Sequence, residues 1–124
     1  MGFTTTYTCR ALLLAASLAA SPAVFAHAHL NHQYPAADAN VTAAPQALTL
    51  NFSEGIEPKF SGVTVTGSQQ QTVKIGAVKR NEKDKTQLII PIEQALKPDQ
   101  YTVAWQVVSV DGHKTQGSYR FSVK

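Results

Sequence analysis

An all-β fold, an immunoglobulin-like Greek-key sandwich of about seven strands, is what this 124-residue chain predicts. Three observations lead there. Apolar and polar residues alternate with period two in several short runs from about residue 30 onward. Helical periodicity is almost absent, and turn signals separate the alternating runs at fairly even intervals. Short strands so spaced fit two sheets whose inward-facing residues fill one shared core.

The first 26 residues stand apart. Arg10 supplies positive charge, Ala11–Ala20 is apolar, and Ser21-Pro22 breaks the run before Ala23-Val24-Phe25-Ala26. These are the parts of a cleavable secretory signal peptide, and the apolar run is well short of the roughly 18–20 residues of a membrane span. Cutting after Ala26 leaves residues 27–124 as one domain that begins at His27, exported, for a bacterial signal of this kind, to the periplasm. A cut after Ala28, following a second Ala-x-Ala sequence, would instead leave His29 first. Cys9 and Met1, the one cysteine and the one methionine, depart with the leader. The domain then has no disulfide and depends on its packed core, which about 100 residues can supply.

Within 27–124 a first short strand is expected near Leu30 to Gln33. Leu48, Leu50 and Phe52 alternate with Thr49 and Asn51, Val63 and Val65 with Thr64 and Thr66, and Val73 and Ile75 with Thr72 and Lys74. Leu88–Ile92 is mostly apolar, and its Pro91 suggests an edge position or a bulge. Tyr101, Val103, Trp105 and Val107 share one face, with Trp105 expected in the core, and Tyr119, Phe121 and Val123 close the chain. Glu57-Pro58, Gly67-Ser68, Asn81, Lys97-Pro98-Asp99 and Asp111-Gly112 mark turns. Lys79–Lys85 mixes both signs of charge and reads as a solvated loop. Removing Arg10 and no acidic residue lowers the net charge from +3 to +2, too weak and too spread out for a nucleic-acid surface.

Chemistry concentrates in the four histidines: His27, His29, His32 and His113. A histidine at a free amino terminus offers its amine and its imidazole to one ion, so the second bond costs little further entropy. Asp111 and His113, at i and i+2 of a strand-like segment, put their side chains on one side of the backbone, and Gly112 permits a tight turn between them. An amine, two imidazoles and a carboxylate suit tetragonal Cu(II), and Zn(II) competes for the same donors tetrahedrally. Soft Cu(I) finds no thiolate or thioether in residues 27–124. His29 raises a second mode, because His27-Ala28-His29 can wrap Cu(II) with the amine, two ionised amides and the third-residue imidazole. His32, five residues after His27, faces the opposite side on a strand and reads as a surface residue or one lying behind the metal ligands.

Several stretches together resemble the CopC periplasmic copper-binding proteins. They are His27-x-x-Leu30 leading to Tyr34-Pro35-Ala36, then Leu48-Thr49-Leu50-Asn51-Phe52-Ser53-Glu54. After these come Tyr101-x-Val103-x-Trp105-x-Val107-Val108-Ser109-x-Asp111-x-His113 and the ending Gly117-Ser118-x-x-Phe121-Ser122-Val123-Lys124. The resemblance spans essentially all of 27–124 and looks closest to the short YobA-like subgroup. It implies a β-sandwich holding Cu(II) through the terminal histidine, an aspartate and a histidine, roles that fall on His27, Asp111 and His113. Glu54 matches a family Ser-Glu and is a weaker candidate, as is His29 from the terminal mode. Where many members carry a Met-rich loop similar to a Cu(I) site, this chain has Gly67-Ser68-Gln69-Gln70-Gln71, which points to a Cu(II)-only binder.

The function so implied is copper homeostasis, resistance or delivery by a monomeric binding protein, not an enzyme. The family further implies an inner-membrane partner of the CopD type. Two alternatives stay open: a metal-free immunoglobulin-like interaction module, and a copper oxidase similar to the histidine-brace monooxygenases. Against the oxidase, so short a domain leaves little substrate-binding face, and an added carboxylate fills a position that oxygen chemistry needs.

Overall fold

A computed structural model describes residues 28–124; the expected leader, residues 1–26, and His27 lie outside them. Eight strands form, in chain order β1 (Leu30–Tyr34), β2 (Asn40–Val41), β3 (Ala47–Phe52), β4 (Gly62–Thr66), β5 (Lys79–Asn81), β6 (Asp84–Pro91), β7 (Asp99–Val108) and β8 (Lys114–Val123). They build two four-stranded sheets, β1-β3-β6-β5 and β2-β8-β7-β4. Alternation works as expected in both. Leu48, Leu50, Leu88 and Ile90 from the first sheet and Val65, Val103, Val107 and Phe121 from the second are fully buried in one core. Tyr101 stacks on Phe121 at 5.6 Å, and its hydroxyl donates to the Lys97 carbonyl at 2.6 Å, so a buried phenol keeps a partner.

Three expectations change. Val73 and Ile75 do not belong to a strand: only the isolated bridges Thr66–Thr72 and Ile75–Ile92 form there, although Val73 is buried. Lys79–Lys85 is not a loop but a β-hairpin, with β5 paired to β6 and only Glu82 and Lys83 in the turn. Its charges are compatible with a strand because β5 lies at the edge of its sheet, where charged side chains also deter strand addition. The two-residue β2, too short to show alternation, runs parallel to β8. Pro91 is neither on an edge strand nor at a bulge but at the last position of the inner strand β6. Its carbonyl accepts from Gly76 on the side away from β3. Its missing N–H faces that same side, beyond the end of β5, so no ladder bond is lost.

The longest pairing places the site. β7 and β8 match without a break from Asp99–Val123 to Val108–Lys114, so residues 109–113 are the hairpin connection at one end of the sandwich. Trp105 points inward but stays half-buried, meeting Phe52 edge-on with ring centres 5.1 Å apart. Opposite it in the ladder is Gly117, where a Cβ would come within 2.6 Å of the indole Cζ2 and 2.9 Å of Cε2. Gly117→Ala is expected to destabilise by about 1–3 kcal/mol through overpacking, lowering Tm by several degrees. Thermal unfolding followed by fluorescence of the lone tryptophan checks this, and an unchanged midpoint would contradict it.

Candidate metal centre

The connection Ser109–His113 is a turn, not the strand-like segment expected, and the turn makes Asp111 and His113 converge. The Ser109 N–H donates to the His113 carbonyl at 2.9 Å, and the Gly112 N–H donates to the Ser109 carbonyl at 2.8 Å. Gly112 has φ of 89°, in the left-handed region where a side chain would be strained, so glycine suits this corner. The His113 Nδ1 is shielded from solvent and faces the Asp111 Oδ2 at 3.1 Å, although the two side chains are 44% and 42% exposed.

Ser109 completes the arrangement from below. It is fully buried, and its hydroxyl donates to the Asp111 Oδ1. The His113 N–H also approaches Oδ1, at 3.3 Å. The Asp111 carboxyl is held down to about 2, first by the Ser109 hydroxyl and then by the His113 side chain. One carboxylate oxygen is thus fixed by the turn, and the other faces the imidazole nitrogen.

A 3.1 Å gap between two donor atoms fits a shared ion. With bonds of about 2.0 Å, cis donors lie about 2.8 Å apart in tetragonal geometry and about 3.3 Å apart in tetrahedral geometry. The pair therefore suits either Cu(II) or Zn(II). Among the described residues no group of three or more His, Cys, Asp or Glu side chains gathers, so neither Glu54 nor His29 joins Asp111 and His113 in such a set. Glu54 follows β3 next to Gly55, whose carbonyl accepts the Val110 N–H at 2.9 Å, so its backbone runs beside the site turn.

His27 lies outside the described residues, but its neighbour is tightly held. Ala28 is 2% exposed, and its carbonyl accepts the hydroxyl of Thr115, two residues beyond His113, at 3.1 Å. The His29 N–H donates to the Ser53 Oγ at 2.8 Å, and the His29 carbonyl accepts the Ser53 N–H at 2.8 Å. The chain thus enters the fold at the end where Asp111 and His113 sit. The same bonds oppose the terminal mode, which must ionise the amides of residues 28 and 29: the second is already a donor, and Ala28 is packed into the core.

Ser109, Thr115 and Ser53 carry no metal-ligand signal in the sequence. Ser109 stood within the motif, but a serine ending an apolar strand resembles any turn residue until its burial is known. Ser109→Ala is expected to weaken metal binding about 10–100-fold, as for other groups that orient a ligand. Metal titration of this variant beside Ser109→Thr, which keeps the hydroxyl, checks the point; equal affinity in the alanine variant would refute it.

At the opposite end of the sandwich, Gly67–Gln71 closes on itself. The Gly67 N–H donates to the Gln71 carbonyl at 2.9 Å, and the Ser68 N–H and Gln71 Nε2 donate to the Asp99 Oδ2 at 3.1 and 3.0 Å. These bonds lower the Asp99 pKa, and the loop is a polar turn with no sulfur ligand.

Comparison with known proteins bears on the fold and the family. The CopC domain matches residues 30–124. Over 114 residues the chain is 60% identical to protein YobA of Escherichia coli, covering 92% of each. The solved structure of CopC from Methylosinus trichosporium superposes with a TM-score of 0.74 at 30% identity, covering 79% of this chain and 94% of that one. PcoC, described as a methionine-rich copper resistance protein from Escherichia coli, superposes with a TM-score of 0.70 at 36% identity, covering 80% of this chain and 100% of its own. The contrast with a methionine-rich relative is direct, since the one methionine here is Met1. A β-sandwich with this sequence match identifies the chain as a member of the CopC family.

Proposed function

We propose that this protein is a periplasmic copper carrier whose cargo is one Cu(II) ion, held by the amine and imidazole of His27 together with Asp111 and His113. The observation that carries the reading is the Asp111–His113 pair, 3.1 Å apart, beside the buried Ala28 to which His27 is joined. The copper resistance named for PcoC supports copper as the cargo. Cu(II) is favoured over Zn(II) by its place at the top of the divalent affinity series for nitrogen donors.

Binding without catalysis is part of the same proposal. The site side chains are substantially exposed, and the concavity of about 660 Å³ bounded by Gly62, Thr64, Ala104 and Ser118 includes neither Asp111 nor His113. A monomer that delivers copper to an inner-membrane protein of the CopD type, or receives copper from it, completes the proposal.

The reading is tested on the secreted chain, its first residue established by mass spectrometry, by EPR of bound Cu(II) across a pH series. A nitrogen-rich spectrum is expected from a chain that starts at His27. Asp111, held down to about 2, stays an anion through mildly acidic pH, so the protons that compete with copper belong to the nitrogen donors. Amine and imidazole nitrogens must be free of protons to bind, so affinity should rise with pH and fall in acidic solution. Affinity that does not change from neutral to mildly acidic pH would overturn the proposal.

A further inference from the structure

His29 and His32 are three positions apart, an odd spacing that would put their side chains on opposite faces of a regular strand. β1 is not regular. Leu30 lies opposite Phe52, whereas His32 lies opposite Asn51, so two steps along β1 correspond to one along β3. The extra residue, Asn31, is a β-bulge, and it reverses the phase of everything before it.

The faces follow from β3. Leu50 and Phe52 are buried, so Asn51 and Ser53 look outward. Directly opposite residues of an antiparallel pair share a face. His32, opposite Asn51, therefore lies on the outer face. So does His29, whose backbone N–H and carbonyl both engage Ser53. Burial agrees: Leu30 packs against the core, while His29 and His32 are both exposed. Asn51 and Ser53 are one outward step apart, about 6.5–7 Å along the strand, so the two imidazoles start from neighbouring outward positions.

The surroundings leave this pair accessible. β1 is the edge strand of its sheet, with β3 as its one hydrogen-bonded neighbour among the described strands. Behind the histidines, a hydrogen-bonded amide row crosses the outer face. Asn81 Nδ2 donates to Gln87 Oε1 at 2.7 Å, and Gln87 Nε2 donates to Asn51 Oδ1 at 3.2 Å. That row stiffens the strand opposite His32 and supplies no carboxylate or thiolate.

We propose that His29 and His32, brought onto one face by the bulge at Asn31, form a second and weaker Cu(II) site on the outer face of β1. Two imidazoles satisfy the preference of Cu(II) for nitrogen donors, and water fills the remaining positions. The site has neither the chelating terminus nor the carboxylate of the first. It should therefore bind on the order of a hundredfold to ten-thousandfold more weakly. Open positions also let copper exchange readily, which suits an entry or hand-off point beside the tighter site. The inference rests on the proposed function for the tighter site it accompanies, and the variants below separate the two.

The test titrates the chain beginning at His27 with Cu(II) alone in a non-coordinating buffer, read by calorimetry and EPR. Two equivalents are expected, the second weaker and with its own spectrum. His32→Ala, a change at an exposed position, should abolish the second equivalent and spare the first, and His29→Ala should also remove the second. His113→Ala should do the reverse, weakening the first equivalent and sparing the second. A single equivalent in the unaltered chain overturns the proposal. So does a second equivalent that survives His32→Ala, which is the behaviour expected if copper is instead wrapped by residues 27 to 29.

Discussion

His113→Ala is expected to weaken tight Cu(II) binding by about a hundredfold or more while leaving the apo fold intact. The imidazole is 44% exposed, and the turn that carries it is closed by backbone bonds that alanine retains. What disappears is the nitrogen 3.1 Å from the Asp111 carboxylate. A donor already linked to the others acts at high effective concentration, so its removal costs far more than one free ligand would. Copper titration against a competing chelator, with EPR of the bound ion, reads the effect. An unchanged affinity and spectrum would show that copper sits elsewhere, the outcome expected if residues 27 to 29 alone wrapped the ion.

Moving the amino terminus should have an effect at least as large. Adding one glycine before His27 keeps every side chain but replaces the free amine of His27 with a peptide nitrogen, so amine and imidazole no longer chelate from one residue. The expected loss is on the order of a hundredfold to ten-thousandfold in affinity. The apo protein should unfold at the same temperature, because Ala28 remains seated in the core with its carbonyl bonded to Thr115. Matched titrations of the two chains, with thermal unfolding as control, decide it. Equal affinity would remove the terminal amine from the ligand set.

The two variants fail in different ways if the reading is wrong. Insensitivity to His113→Ala alone points to the terminal peptide mode. Insensitivity to the added glycine alone points to a site built from Asp111, His113 and other side chains. Insensitivity to both removes the whole assignment.

Much of the fold was legible because period-two alternation reports directly on which face of a strand is buried. Leu48, Leu50 and Phe52, or Val63 and Val65, have the same burial in the structure as in the pattern. Legibility failed where the pattern reported something else. Val73 is apolar because a loop residue plugs the core, not because it lies in a strand. Lys79–Asn81 is charged because it forms an edge strand, not because it is a loop. The bulge at Asn31 left no mark in composition, since any residue type fits an unpaired position of that kind. Ser109 was present in a recognisable motif, but its action on Asp111 depends on complete burial, which no local pattern records.

By itself, the sequence determined the fold class and the family, because alternation and motif order are local properties. Only the tertiary structure decided which donors meet. Asp111 and His113 converge through a turn, Ala28 is fastened beside them by a residue 87 positions away, and one inserted residue carries His29 onto the face of His32. The physical reason is that convergence depends on strand register and on long-range hydrogen bonds, and these are set by the packing of two sheets against each other rather than by any stretch of chain alone.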